Sequence, residues 1–139
     1  MRRSDNDWKK HLSQEQYQVL RQKLTEAPFS GAFLYNEAMG IYVCAACGRQ
    51  LFSSEQKFDA SSGWPSFYDV IGKGAVDLKE DLSHGLRRVE VLCSNCNSHL
   101  GHVFDDALEQ PTKMRFCINS LSLDFVPINS KKKLKEGKS

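Results

Sequence analysis

Apolar positions along the chain first repeat at helical spacing and then switch to short alternating runs. Tyr17, Leu20 and Leu24 fall on one helical face. They follow Ser13-Gln14-Glu15-Gln16, a capping box in which the serine hydroxyl and the glutamine side chain satisfy opposed backbone donors. Leu12 and Tyr17 have the spacing of a hydrophobic staple, and Pro28 predicts that the helix ends near Ala27. Beyond Pro28 the pattern becomes that of strands. Gly40-Ile41-Tyr42-Val43-Cys44, Arg88-Val89-Glu90-Val91-Leu92-Cys93 and the stretch from Met114 to Phe125 alternate or run in β-branched and aromatic residues, broken by Gly, Pro, Ser and Asn. No long amphipathic helices separate these runs, so a parallel α/β sheet is not expected. The pattern predicts a mainly β body with an N-terminal helical brace.

With 139 residues the chain has room for one domain with a core. No apolar run approaches the roughly 18 residues of a membrane-spanning helix. The start, Met1 to Trp8, has basic residues without an apolar stretch behind them, so it does not read as a secretory signal. A soluble, intracellular, cytoplasmic protein is expected. The net charge of +2 is unevenly placed, because Lys131 to Ser139 carries +4 and leaves the rest at −2. A nucleic-acid-binding surface is therefore not indicated, and the tail reads as a disordered, solubilising end. The expected organisation is an extension over residues 1–12, a single domain over 13–126 and a basic tail over 127–139.

Four of the five cysteines form two pairs, Cys44-x-x-Cys47 and Cys93-x-x-Cys96, separated by 45 residues. In a reducing compartment a disulfide framework is not expected. A thioredoxin-like motif would sit between a strand and a helix and would not occur twice. The spacing matches the four thiolate ligands of a tetrahedral structural zinc, one per chain, with no open position for chemistry. Gly48 and Asn97 suit the left-handed turns that follow such pairs.

The fifth cysteine has a different setting. On a strand, Arg115, Cys117 and Asn119 share one face while Phe116 and Ile118 share the other. Leu121 and Leu123 would continue the first face, so only one end of it is polar. A guanidinium beside the sulfur favours the thiolate, which is the nucleophile, and this flanking favours a reactive Cys117 over an inert one. His99, His102, Asp105 and Asp106 follow the second cysteine pair, and a mixed metal site that recruits a histidine is an alternative for one imidazole. Gly63-Trp64-Pro65-Ser66-Phe67 reads as a rigid turn with two aromatic rings, either core or the wall of an apolar pocket.

Taken in order, Cys44-x-x-Cys47, Gly63-Trp64-Pro65-Ser66-Phe67, Cys93-x-x-Cys96, His99-Leu-Gly-His102-Val-Phe and Arg115-x-Cys117-x-Asn119 resemble the successive signatures of the B-type methionine-(R)-sulfoxide reductases. The resemblance spans Ser13 to Phe125. It implies two antiparallel sheets around the active site, zinc on the four paired cysteines, and reduction of the R epimer of methionine sulfoxide, free or in proteins. It implies that Cys117 attacks the sulfoxide sulfur. His99, His102 and Asp106 would orient the substrate and protonate the departing oxygen, Arg115 would hold the thiolate, and Asn119 would bind near the sulfoxide. Trp64 would receive the methyl group, with Phe67 and Phe104 beside it. Many members carry a resolving cysteine two residues before the tryptophan, where this chain has Ser62. Cys117 sulfenic acid is therefore expected to need an external thiol: thioredoxin, glutaredoxin with glutathione, or another small thiol. A monomer is expected. A zinc-held binding module without a nucleophile is the rival reading, and a zinc hydrolase or deaminase is disfavoured by the all-cysteine ligand set.

Overall fold

The computed structural model describes residues 10–128; the stretches 1–9 and 129–139, which hold most of the expected extension and basic tail, lie outside the described residues. Two antiparallel sheets form the body, the mainly β architecture that the alternation predicts in the two-sheet form that the resemblance implies. The first has the order β2-β1-β9, with β1 at Gly40–Cys44, β2 at Gln50–Ser53 and β9 at Leu123–Pro127. The second has the order β3-β4-β8-β7-β6-β5. Its strands are β3 Lys57–Phe58, β4 Ser66–Phe67, β5 Val76–Asp81, β6 Arg88–Cys93, β7 His99–Phe104 and β8 Arg115–Ile118. Among the described residues no helix is long and apolar enough to cross a membrane.

Aromatic side chains fill the space between the sheets. Phe52 on β2 stacks on Phe67 of β4, ring centroids 4.4 Å apart, and Tyr42 on β1 meets the edge of the same ring at 5.2 Å. Phe116 on β8 and Phe125 on β9 extend the cluster. Burial of each such ring contributes about 1.5–3 kcal/mol, so this seam is a main adhesive between the two layers. The Tyr42 hydroxyl is not left unsatisfied, because Asn36 Nδ2 donates to it at 2.9 Å.

The helix α1, Gln14–Gln22, begins as its capping box predicts. Gln16 N–H donates to Ser13 Oγ at 3.0 Å, and Ser13 N–H donates to Gln16 Oε1 at 3.1 Å. Leu12, Tyr17, Val19 and Leu20 are buried, and the helix packs on β7 and on the 3-10 turn Ser120–Ser122. Its end differs from expectation. Lys23 takes up the left-handed conformation (φ 63°, ψ 26°) and closes the helix five residues before Pro28 is reached. Leu24 therefore leaves the helical face and is 50% exposed.

The Met114–Phe125 stretch is not one strand. It divides into β8, the 3-10 turn Ser120–Ser122 and β9, which crosses to the other sheet. The break follows Asn119, whose N–H donates to Leu100 O at 2.9 Å. Leu121 then directs its N–H to the Glu26 carboxylate at 2.9 Å, so Leu121 and Leu123 do not continue the Cys117 face. Within the second sheet, Cys117 stands opposite Ser66 on one side and His102 on the other, and His102 stands opposite Glu90. These cross-strand pairs set one row of side chains on a single face.

Gly101 allows this row to form, because a Cβ at that position would overlap the Cys117 carbonyl oxygen. Gly101→Ala is expected to push β7 from β8 and to cost about 1–3 kcal/mol or more of stability in urea unfolding. Unchanged stability with full activity would contradict this account of the register.

Candidate active site

The two cysteine pairs meet, bringing the ends of β1 and β6 together. Their four Sγ atoms all lie within 4.8 Å of one another, with Cys44–Cys96 at 3.7 Å and Cys47–Cys93 at 3.6 Å. A tetrahedron of thiolates about 2.3 Å from a zinc ion has edges of roughly 3.8 Å, whereas a disulfide is about 2.05 Å. The donor set therefore fits a metal, and all five cysteines are free of disulfides. The two turns repeat each other. Cys44 N–H donates to Arg49 O and Gly48 N–H returns to Cys44 O; Cys93 N–H donates to Ser98 O and Asn97 N–H returns to Cys93 O. Gly48 (φ 84°) and Asn97 (φ 66°) occupy the left-handed position in each, as their residue types predict. Hydrogen bonding to Cys47, Cys93 and Cys96, together with burial, holds the Cys44 thiol well above its ordinary range, while bonds from Cys44 and Cys93 favour the thiolate of Cys96.

Cys117 sits apart from this cluster, on the polar face of β8. Arg115 Nη1 donates to Cys117 Sγ at 2.8 Å. The same guanidinium donates through Nε and Nη2 to both carboxylate oxygens of Asp106, each at 2.9 Å, and lies 4.5 Å from the centre of the Phe104 ring. The bidentate pair and the aromatic face hold the fork at one angle. Hydrogen bonding to Arg115 keeps the Asp106 carboxyl below the usual carboxylate range and raises the guanidinium further, so the cation beside the sulfur is permanent. Two hydroxyls complete the surroundings, Ser62 Oγ at 3.4 Å and Ser66 Oγ at 3.9 Å.

A cavity of about 310 Å³ opens over Cys117, lined by Trp64, His102, Phe104, Arg115 and Asn119 among others. His102 Nε2 lies 2.7 Å from Asp81 Oδ2, and this contact holds the Asp81 carboxyl well below its usual range. Asp81 is also 3.6 Å from Arg88, a further lining residue. Asn119 is buried, with Oδ1 accepting from Glu26 N–H and Nδ2 donating to Leu100 O, both at 3.0 Å. Trp64 Nε1 donates to Glu26 O at 3.1 Å, so one backbone segment fixes both residues.

Three expected site residues do not line this cavity, and the first, Asp106, turns both carboxylate oxygens to Arg115 and borders the adjoining cleft. Phe67 is fully buried in the aromatic seam and does not line the cavity. His99 is 3% exposed and bonds Glu90 through Nδ1 instead of facing the cavity. The residues that hold the histidines, Asp81 and Glu90, escape a reading of motifs. Glu90 leaves one local signal, a carboxylate between Val89 and Val91 in a strand otherwise apolar after Arg88.

Comparison with known proteins adds a consistent finding. Residues 12–127 match the SelR domain family. The chain is 59% identical over 123 residues to the peptide methionine sulfoxide reductase MsrB of Methanosarcina barkeri, covering 88% of this chain and 86% of that protein. It is 58% identical over 134 residues to MsrB of Methanosarcina mazei, covering 96% and 95%. For MsrB of Leptospira interrogans the figure is 57% over 123 residues, covering 88% and 93%.

The sulfur geometry predicts one bound metal ion per chain in elemental analysis of the purified protein. Cys47→Ser or Cys93→Ser is expected to lose the metal and to lower the melting temperature sharply. Full thermal stability of the stripped protein would show that the cluster does not hold the fold.

Proposed function

The chain belongs to the SelR-domain family of MsrB methionine sulfoxide reductases, oxidoreductases acting on methionine sulfoxide, and on that premise we propose that it reduces the R epimer by attack of Cys117. The observation that carries this reading is the Arg115 N–H directed at Cys117 Sγ at 2.8 Å, with His102 opposite in the sheet. Trp64 and Phe104 offer the apolar side of the cavity to the methyl group, and the polar side receives the sulfoxide oxygen.

In the reaction Cys117 Sγ attacks the sulfoxide sulfur as a thiolate, held by the Arg115 cation that Asp106 fixes in place. The sulfoxide oxygen is a poor leaving group unless it gains a proton as the sulfur is attacked, and His102, oriented by Asp81, is placed to supply one. The S–O bond of the substrate breaks as the protonated oxygen leaves, and a water oxygen then adds to Cys117 Sγ, breaking the transient sulfur–sulfur bond to the substrate and returning a proton. Methionine leaves, its sulfur reduced by two electrons, and Cys117 is left as the sulfenic acid, oxidised by two. Asn119, immobilised by Glu26 and Leu100, shapes the floor near the sulfoxide.

Recycling needs two thiol equivalents: one condenses with the sulfenic acid and expels water, and the second releases Cys117 as the thiol. The groups beside Cys117 Sγ are Arg115, Ser62 and Ser66, none of them a sulfur. The other four cysteines are gathered in their own cluster. An external reductant follows: thioredoxin, glutaredoxin with glutathione, or another small thiol. Zinc is the metal that four thiolates in a closed tetrahedron favour; held by Cys44, Cys47, Cys93 and Cys96, it would supply structural cross-linking. Clefts of about 300 Å³ and 570 Å³ adjoin the cavity at Trp64 and at Ser62 and Arg115, room for polypeptide on both sides of a protein-bound sulfoxide.

Turnover of the separated R and S epimers with dithiothreitol tests this directly. R-selective reduction is expected in the wild type and none in Cys117→Ser. Activity on neither epimer, from a folded and metal-loaded protein, would overturn the reading in favour of a binding module.

A further inference from the structure

His99 is a buried imidazole with one nitrogen engaged and one idle. Nδ1 lies 2.7 Å from Glu90 Oε2, and Nε2 is buried without a hydrogen-bond partner. Its ring stands 5.5 Å from that of His102, the imidazole that lines the cavity. Glu90 is itself only 3% exposed, and its second oxygen is 3.5 Å from Lys23 Nζ.

This arrangement is costly as a piece of packing. A carboxylate withdrawn from water loses several kcal/mol of hydration, and apolar replacements of buried ionic groups are often as stable or more so. Glu90 nevertheless occupies the middle of β6, opposite His102, in the row that runs on to Cys117. Its counter-charge comes from an equally unfavourable position. Lys23 is the left-handed closing residue of α1, where glycine is the least strained choice, and from there its amine reaches over Glu90.

The chemistry of the contact fixes the tautomer. An ionised carboxylate only accepts, so the bond to Glu90 places a proton on Nδ1. Resting on the reductase reading above, we propose that Glu90, with Lys23 as its counter-charge, is a positioning residue for sulfoxide reduction: it holds His99 in the Nδ1–H form, leaving Nε2 as the one nitrogen free to take up or release a proton beside His102.

Charges around His99 act in opposite directions. Burial holds its imidazole below the ordinary range, the Glu90 hydrogen bond and charge work against that, and the charges of His102 and Lys23 add to it. Asp81 on β5 and Arg88 on β6 reach His99 through His102, while Arg21 of α1 is directed to Cys96 O and Ser98 Oγ. With the His99 imidazole as a source of the proton, activity falls as pH rises through its titration. Removing the Glu90 charge lowers that point and removing the Lys23 charge raises it.

The test is methionine formed in a single turnover without reductant, followed against pH in the full-length wild type, Glu90→Gln and Lys23→Met. Omitting reductant keeps the titration of the reductant's thiols out of the profile. The alkaline limb is expected to move to lower pH in Glu90→Gln and to higher pH in Lys23→Met. Imidazole nitrogen NMR is expected to show a single Nδ1–H tautomer for His99 in the wild type and a mixture in Glu90→Gln. Limbs that stay in place, or that move in the same direction in both folded variants, would overturn the proposal. Should the wild type itself fail to convert the R sulfoxide, the reductase reading fails first and this role falls with it.

Discussion

Four sulfurs drawn into one tetrahedron are the constraint on which the rest of the molecule depends. Cys44 ends the central strand of the first sheet and Cys93 ends an interior strand of the second, so the cluster joins the two layers at their strand ends. The aromatic seam between Phe52, Tyr42 and Phe67 then sets their separation. The N-terminal helix is bound beside the cluster, because Arg21 donates to Cys96 O at 2.9 Å and to Ser98 Oγ at 3.0 Å. Small domains with limited apolar area commonly gain rigidity from a metal in this way.

That rigidity matters because the Cys117 sulfur is positioned through the sheet and not by a loop. Gly101 lets β7 lie close against β8, which sets His102 opposite Cys117. Arg115 reaches Cys117 from two residues away along the same strand and is itself held by Asp106 and Phe104. Thr25 and Glu26 close the other side, where Glu26 holds the indole of Trp64 and the amide of Asn119. Arg115, His102, Trp64 and Asn119 are thus each oriented by a second group behind them, the condition for a preorganised site.

Much of this is legible in the sequence wherever the governing interaction is local. The capping box at Ser13, strands Gly40–Cys44 and Arg88–Cys93, the left-handed turns at Gly48 and Asn97, and the shared face of Arg115 and Cys117 all follow from spacing within a few residues. What is not legible depends on distant partners. The helix stops at Lys23 because its side chain and the following segment are claimed by the sheet, so Leu24 never reaches the apolar face. The strand after Cys117 breaks because Asn119 and Leu121 bond Glu26, more than ninety residues earlier. Phe67 belongs to the core because Phe52 from the other sheet stacks on it, which no pattern around Trp64 records. Ser66, Asp81 and Glu90 enter the site's surroundings through strand register alone.

On the proposed reading two kinds of cysteine do separate work, four holding a metal cross-link and one acting as the nucleophile. Mass spectrometry of the chain after one turnover on the R sulfoxide, with no reductant present, tests that division most directly. The account predicts one added oxygen atom on the Cys117 peptide, four unmodified cluster cysteines and retained metal. A disulfide between Cys117 and Cys44, Cys47, Cys93 or Cys96, accompanied by release of the metal, would contradict it.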